Sequence, residues 1–314
     1  MRTCCAFVLV SVLLFLNAQF LWAGLERYSQ FIVADTKNYP RSQGVRVTFL
    51  GTSGYQLEIR DHAILIDPYF SRIGLSAMIL PISIRPNIER IESAMKYLAP
   101  KPDAIVMTHA HVDHLFDAPE IMRMTGATLL ASRTAIELAQ AAGTPPSRRE
   151  VVAVGNVRRI GPWKIHVLPA QHDRVFPIGV PFPGNRKRNG APKHASDWVC
   201  GEPLSLLVEA GGKRIYIDSG GRLSLLPPAE IAPVDLAILG VALPDSRARF
   251  SAAVGRLRPR YILPSHQDNF FQPLDRGFTF GPMTDFPRVL RDYKRAQLPG
   301  RLILLDYFWP WTLR

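Results

Sequence analysis

The chain has 314 residues, 47% of them apolar and 20% charged, which excludes a disordered or fibrous chain and is long enough to bury a full core. Its formal net charge of +12 points either to an anionic partner, whether a phospholipid surface, a phosphate-bearing substrate or nucleic acid, or to a solvated basic surface. Cys4 and Cys5 lie in the first few residues, so removal of the leader would leave Cys200 alone and exclude an intramolecular disulfide.

Residues 1–23 open with one arginine and continue as AFVLVSVLLFLNAQFLW (6–22), a pattern that fits a secretory signal peptide or a membrane anchor. Either one implies an exported, periplasmic or extracytoplasmic and membrane-associated protein. Cys4 and Cys5 precede the apolar run and so cannot be a lipoprotein attachment site. Residues 24–44 read as a linker, and 45–314 as one catalytic domain without repeats.

That domain begins with short apolar or alternating runs at 45–50, 55–60 and 63–67, separated by GTSG and Asp61-His62, which predict successive strands. IERIESAMKYL (88–98) has helical spacing and ends at KP. AIVM (104–107) predicts a buried strand that delivers THAHVDH (108–114). A helix near 117–125, strand ATLLA, helix RTAIELAQAA, strand VVAV and strand WKIHVLPA (163–170) follow. In the second half, SLLVEAGGKRIYIDSG predicts two strands and VDLAILGVA a third. The basic helix SRARFSAAVGRLR, strand YILPSH, a helix near 285–295 and strand RLILLDYF complete the chain. Mixed strands with helices in each half predict an α+β fold of two mixed β-sheets with helices on the outer faces. The basic residues cluster at 148–149, 158–159, 185–194 and at Arg247, Arg249, Arg256, Arg258 and Arg260.

Candidate ligands end the strands. Asp67, THAHVDH, His172, Asp218 and His266 each follow an apolar run, so five of the eight histidines sit at strand ends. Histidines two apart cannot face one way on a helix but can from a tight loop. Nitrogen-rich coordination with carboxylates and no thiolate suits zinc, with manganese or iron as alternatives. His62 and His166 read as structural residues.

These pieces, in this order, resemble the metallo-β-lactamase superfamily from about Val45 to Phe308. The resemblance implies an αββα sandwich with two divalent metal ions at one edge. It implies that His109, His111 and His172 hold one ion, that Asp113, His114 and His266 hold the other, and that Asp218 bridges them. Asp67 would orient a ligand from behind. Two such ions would lower the pKa of a bridging water to give hydroxide, with Asp113 as a further proton acceptor. Asp268, Asn269 and His194 are candidates to protonate the leaving group.

GTSGYQLEIRDHAILIDPYFS, HVDHLFD, IDSGG and LPSHQDNF resemble the branch that includes N-acylphosphatidylethanolamine phospholipase D and ascorbate-6-phosphate lactonase. That implies a hydrolase acting on an ester of an anionic small molecule or lipid, a phosphodiester or phospholipid headgroup first and a lactone or other cyclic ester second. Arg174, Arg186, Arg188, His194 and Asn269 are the candidate substrate contacts. A ribonuclease Z-like nuclease would use the same ions, but the leader argues against nucleic acid. A non-catalytic metal protein at the membrane is the non-enzyme alternative.

Overall fold

Strand alternation sets the layers. In the computed structural model, which describes residues 24–36, 44–175, 178–186 and 190–314, Ile64 and Ile66 enter one hydrophobic cluster while Leu65 enters another. Ala104 and Val106 likewise separate from Ile105, as the two-residue period of a strand requires. One cluster fills the space between the two sheets and continues beneath the helices that cover the second sheet, and the other lies between the first sheet and its helices. The leader, part of the linker, Phe176 and Arg188 fall outside the described residues. Among those described, no helix is long and apolar enough to cross a membrane.

The first sheet contains β1 (Val45–Gly51), β2 (Gly54–Ile59), β3 (His62–Ile66), β4 (Ala104–Val106), β5 (Thr128–Ala131) and β6 (Arg149–Val151). The second contains β7 (Val157–Ile160), β8 (Trp163–Pro169), β9 (Leu204–Ala210), β10 (Lys213–Asp218), β11 (Leu236–Gly240), β12 (Tyr261–Ser265) and β13 (Arg301–Leu302). A final strand, β14 (Pro310–Leu313), crosses back to the first sheet beside β1. The orders are β14-β1-β2-β3-β4-β5-β6 and β13-β12-β11-β10-β9-β8-β7. Each half pairs hairpin strands antiparallel and crossover strands parallel. Helices α1 (Leu75–Ile79), α2 (Ile88–Met95), α3 (Val112–Leu115), α4 (Ala118–Thr125), α5 (Arg133–Ala141), α6 (Pro244–Leu257) and α7 (Phe286–Arg295) complete the αββα sandwich.

Several elements differ from their predicted form. VVAV contributes only its first residue to β6, which begins earlier, at Arg149. RLILLDYF forms two residues of strand, and the chain turns away to make β14, whose proline and aromatic residues carry no alternating signal. Arg158 and Arg159 are not merely a basic cluster, because they lie in edge strand β7, where Arg158 pairs with Glu150. Arg247 and Arg249 do not belong to the basic surface. Both are buried, Arg247 donating to the carbonyls of Ala242 and Met283 and Arg249 pairing with Asp218.

Gly240 ends β11 where the backbone of Ser219 crosses it. A Cβ at Gly240 would lie 2.1 Å from the Ser219 carbonyl carbon, so no side chain fits without moving the turn after β10. Gly240→Ala is expected to destabilise the fold by about 1–3 kcal/mol through overpacking, read as a melting temperature several degrees lower.

Candidate metal centre

Three strands and one short helix bring six ligand-type side chains to one edge. β4 ends in a loop that carries His109 and His111, and α3 places Asp113 and His114 in its first turn. His172 follows β8, and His266 follows β12. Asp67 and His266 both hold left-handed backbone, with φ of 41° and 54°, a conformation that costs energy for residues other than glycine and concentrates at functional sites. The His266 N–H donates to the Thr52 carbonyl at 2.9 Å, which fixes that turn.

The six side chains form two triads, His109–His111–His172 and Asp113–His114–His266, each with its ligand atoms within 4.8 Å of one another. The triads adjoin, the His109 and His114 ring centroids lying 3.9 Å apart. Their outward contacts decide the tautomers. His111 Nε2 is 2.9 Å from the Pro181 carbonyl and His172 Nδ1 is 2.8 Å from the Asp173 carbonyl. A carbonyl only accepts, so those nitrogens carry the hydrogens and the opposite lone pairs face inward. His114 Nδ1 donates to Asp67 Oδ2 at 2.8 Å, leaving a buried Nε2 with no hydrogen-bond partner. Asp67 also accepts from the Thr108 amide at 2.7 Å and from its hydroxyl. That hydroxyl is in turn 3.1 Å from His109 Nδ1. Inward lone pairs held by outward hydrogen bonds are what a divalent cation with nitrogen ligands requires, so the residues fit one.

The protonation states agree. Burial, then the neighbouring imidazoles His114 and His111, holds His109 well below its ordinary range. Burial lowers His111 to about 4 and His172 to about 3. These rings are neutral at pH 7, as ligands must be. Burial opposes ionisation of Asp113, but His114 and His266 pull its carboxyl well below the ordinary carboxylate range. Its Oδ2 lies 3.2 Å from His266 Nε2 and 3.6 Å from His114 Nε2. An ionised carboxylate is a ligand of the kind a divalent cation takes.

Asp218 does not join either triad, contrary to its expected bridging place. Asp218 and Tyr216 stand two apart on β10 and share the face turned to α6, where both meet Arg249. One Asp218 oxygen pairs with Arg249 at 2.8 Å, and the other accepts from the amides of Gly220 and Gly240 at 3.2 Å. The next residue, Ser219, faces the centre instead, its Oγ 3.4 Å from His109 Nδ1.

The candidate substrate contacts are dispersed. Arg174 is exposed and held by Asp245 through two side-chain bonds of 2.8 and 2.9 Å. Arg186 donates to the carbonyls of Glu137 and Gly190. His194 caps the turn at Ala195–Asp197. Asn269 Oδ1 accepts from the Phe271 amide at 3.3 Å. Asp268 cannot serve as a proton donor to substrate, because it is buried and accepts from the Thr52 amide, Arg72 and Tyr307. His62 and His166 lie apart, paired with Asp103 and Glu209.

Sequence reading missed Arg249, Ser219, Thr108 and Asp173. Burial pushes the Asp173 carboxyl up to about 8, and it accepts from the Gly221 amide at 3.2 Å. The one usable signal was alternation within RIYIDS, which sends Asp218 and Ser219 to opposite faces.

A model of the beta-lactamase superfamily domain matches residues 62–250, from β3 into α6. A UPF0173 metal-dependent hydrolase of Desulforamulus reducens is 25% identical over 232 residues, 72% of this chain and 86% of its own. A namesake from Pyrobaculum neutrophilum is 26% identical over 230 residues, with 72% and 85% covered. Igni18, described as a novel metallo hydrolase from Ignicoccus hospitalis, shares the fold at a TM-score of 0.57 and 21% identity, over 87% of this chain and 99% of that one. The match spans the strand ends that carry five of the six triad residues, and on it the chain belongs to the beta-lactamase superfamily.

Proposed function

We propose that the chain is a metal-dependent hydrolase that holds two divalent cations, zinc by preference, and cleaves an ester of an anionic substrate, a phosphodiester first. The observation that carries this reading is the pair of adjoining triads whose buried lone pairs converge while their outward nitrogens are tied to the protein. When bound, the cations supply an acidified water and polarisation of the substrate oxygen. His109, His111 and His172 hold one position, and Asp113, His114 and His266 the other. Asp67 fixes the tautomer of His114 and, through Thr108, the orientation of His109. Phe182 and Phe270 lie edge-on to His111 and His266, at 6.4 and 5.4 Å between centroids, and present apolar surface beside both triads.

The anionic substrate is supported by the loop that braces His111 through Pro181. It encloses a cavity of about 500 Å³ lined in part by Arg186, Lys193 and His194, within the size range of small-molecule sites. Arg174, paired with Asp245, is a weaker candidate.

Metal analysis by plasma mass spectrometry is expected to find two ions per chain, with hydrolysis of bis(p-nitrophenyl) phosphate. His172→Ala and His266→Ala are each expected to lose one ion and most of the turnover. Metal content near zero in the parent protein would sink the reading. Asp67→Ala is expected to weaken metal affinity roughly 10–100-fold, the usual effect of removing a ligand's outer partner, measured by competition with a chelating dye.

Proton linkage gives a separate check. An unfolded histidine titrates near 6.5, whereas folded His111 and His172 stay neutral down to about 4 and about 3. The unfolded chain therefore binds more protons in that window, and folding stability falls as pH drops from about 6.5 toward 4. The melting temperature of metal-free protein is expected to fall across that window. His172→Gln is expected to flatten the fall, and an unchanged slope would contradict the neutral-ring assignment.

A further inference from the structure

Exposed aliphatic side chains scattered singly need no explanation, but five here share one edge of the sandwich. Leu75, Leu80 and Ile82 lie in the connection after β3, Ile178 after β8 and Leu223 after β10. Those connections leave the strand ends where the metal centre is built. Leu80 is 52% and Ile82 43% exposed, and Ile178 and Leu223 are each 58% exposed. From Ile73 to Ile84 the chain holds no charged residue, and none of the five residues of α1 is buried. Ala77, Met78 and Ile84 touch the outer hydrophobic cluster, so this segment is fastened on one side and open on the other.

Cations border it. The Ile84 amide donates to the Lys193 carbonyl at 2.8 Å, which sets exposed Lys193 beside exposed Arg85. The same contact ties the apolar segment to the loop that braces His111. α1 also rests on the turn at Ala195–Asp197, and Trp198, next along, packs edge-on against Phe116 just past α3. The apolar border and the centre are therefore parts of one face.

We infer that this face docks on an anionic lipid surface, with Leu75, Leu80 and Ile82 entering the bilayer interface and Arg85 and Lys193 meeting headgroup phosphates. An uncharged aliphatic stretch bounded by cations matches that interface. A protein partner is a poorer fit, because the five side chains include no aromatic anchor of the kind that dominates protein contacts. The inference goes beyond the proposed ester chemistry, since docking requires no turnover.

Hydrogen exchange on the full chain tests it, with vesicles of phosphatidylcholine alone or with added phosphatidylglycerol. Amides of 73–84 are expected to slow several-fold with the anionic vesicles and not with the neutral ones. Leu80→Ser combined with Ile82→Ser is expected to abolish that protection and lower vesicle partitioning several-fold. Its melting temperature and its hydrolysis of soluble bis(p-nitrophenyl) phosphate should be unchanged. Arg85→Ala with Lys193→Ala should reduce partitioning most at low salt. Vesicle binding that leaves 73–84 unprotected would mean that another part of the chain makes the contact, and would overturn the inference. Protection that appears without lipid and grows with protein concentration would overturn it in favour of self-association.

Discussion

Five imidazoles converge on one edge of the sandwich: burial keeps His109, His111 and His172 neutral, while His114, despite its burial, is raised by Asp113 and Asp67. Each tautomer that its contacts fix has the hydrogen turned outward to an acceptor: Pro181 for His111, Asp173 for His172 and Asp67 for His114. What remains inward is a set of lone pairs and the single carboxylate of Asp113. Such a cluster is costly when empty of charge partners, because buried polar atoms without partners are costly. It becomes favourable when a cation fills it.

Holding that arrangement takes both sheets. The first sheet supplies Asp67 and the loop after β4, and the second supplies His172 and His266. They are joined across the edge by the Thr52 amide on Asp268, the His266 amide on Thr52 and the hydroxyl of Tyr55 on Ser265. Arg72, wholly buried, closes the same junction through a 2.8 Å pair with Asp268. A buried pair of this kind is weak evidence for stability, but loss of either partner leaves an uncompensated charge. The junction therefore resists small displacements of His266.

The arginines of α6 serve a different end. Expected as surface charge, Arg247 and Arg249 instead satisfy carbonyls and Asp218 beneath the helix. That removes two cations from the surface of the protein. On the proposed reading, an anionic substrate would meet the loop that carries Lys193 and His194 and the cations that the triads would hold.

The order of ligands along the chain, their positions at the ends of apolar runs and the two-layer mixed architecture were legible in the sequence. Burial forces those patterns: strands covered on both faces read as apolar runs, and the polar residues that end them stand out. The place of Asp67 behind a ligand was implied by the family resemblance alone, and only the tertiary structure pairs it with His114. The sequence could not say which face of β10 Asp218 would occupy, because alternation fixes only that Asp218 and Ser219 point opposite ways. The choice was made by α6, which brings Arg249 within 2.8 Å of the carboxylate. Nor could it reveal that Leu75, Leu80 and Ile82 would lie exposed, because an uncharged run reads the same whether it is covered or open. Local residues determined what chemistry the chain can hold; contacts between segments far apart in sequence decided where each group points, because only they supply the partner that a buried charge requires.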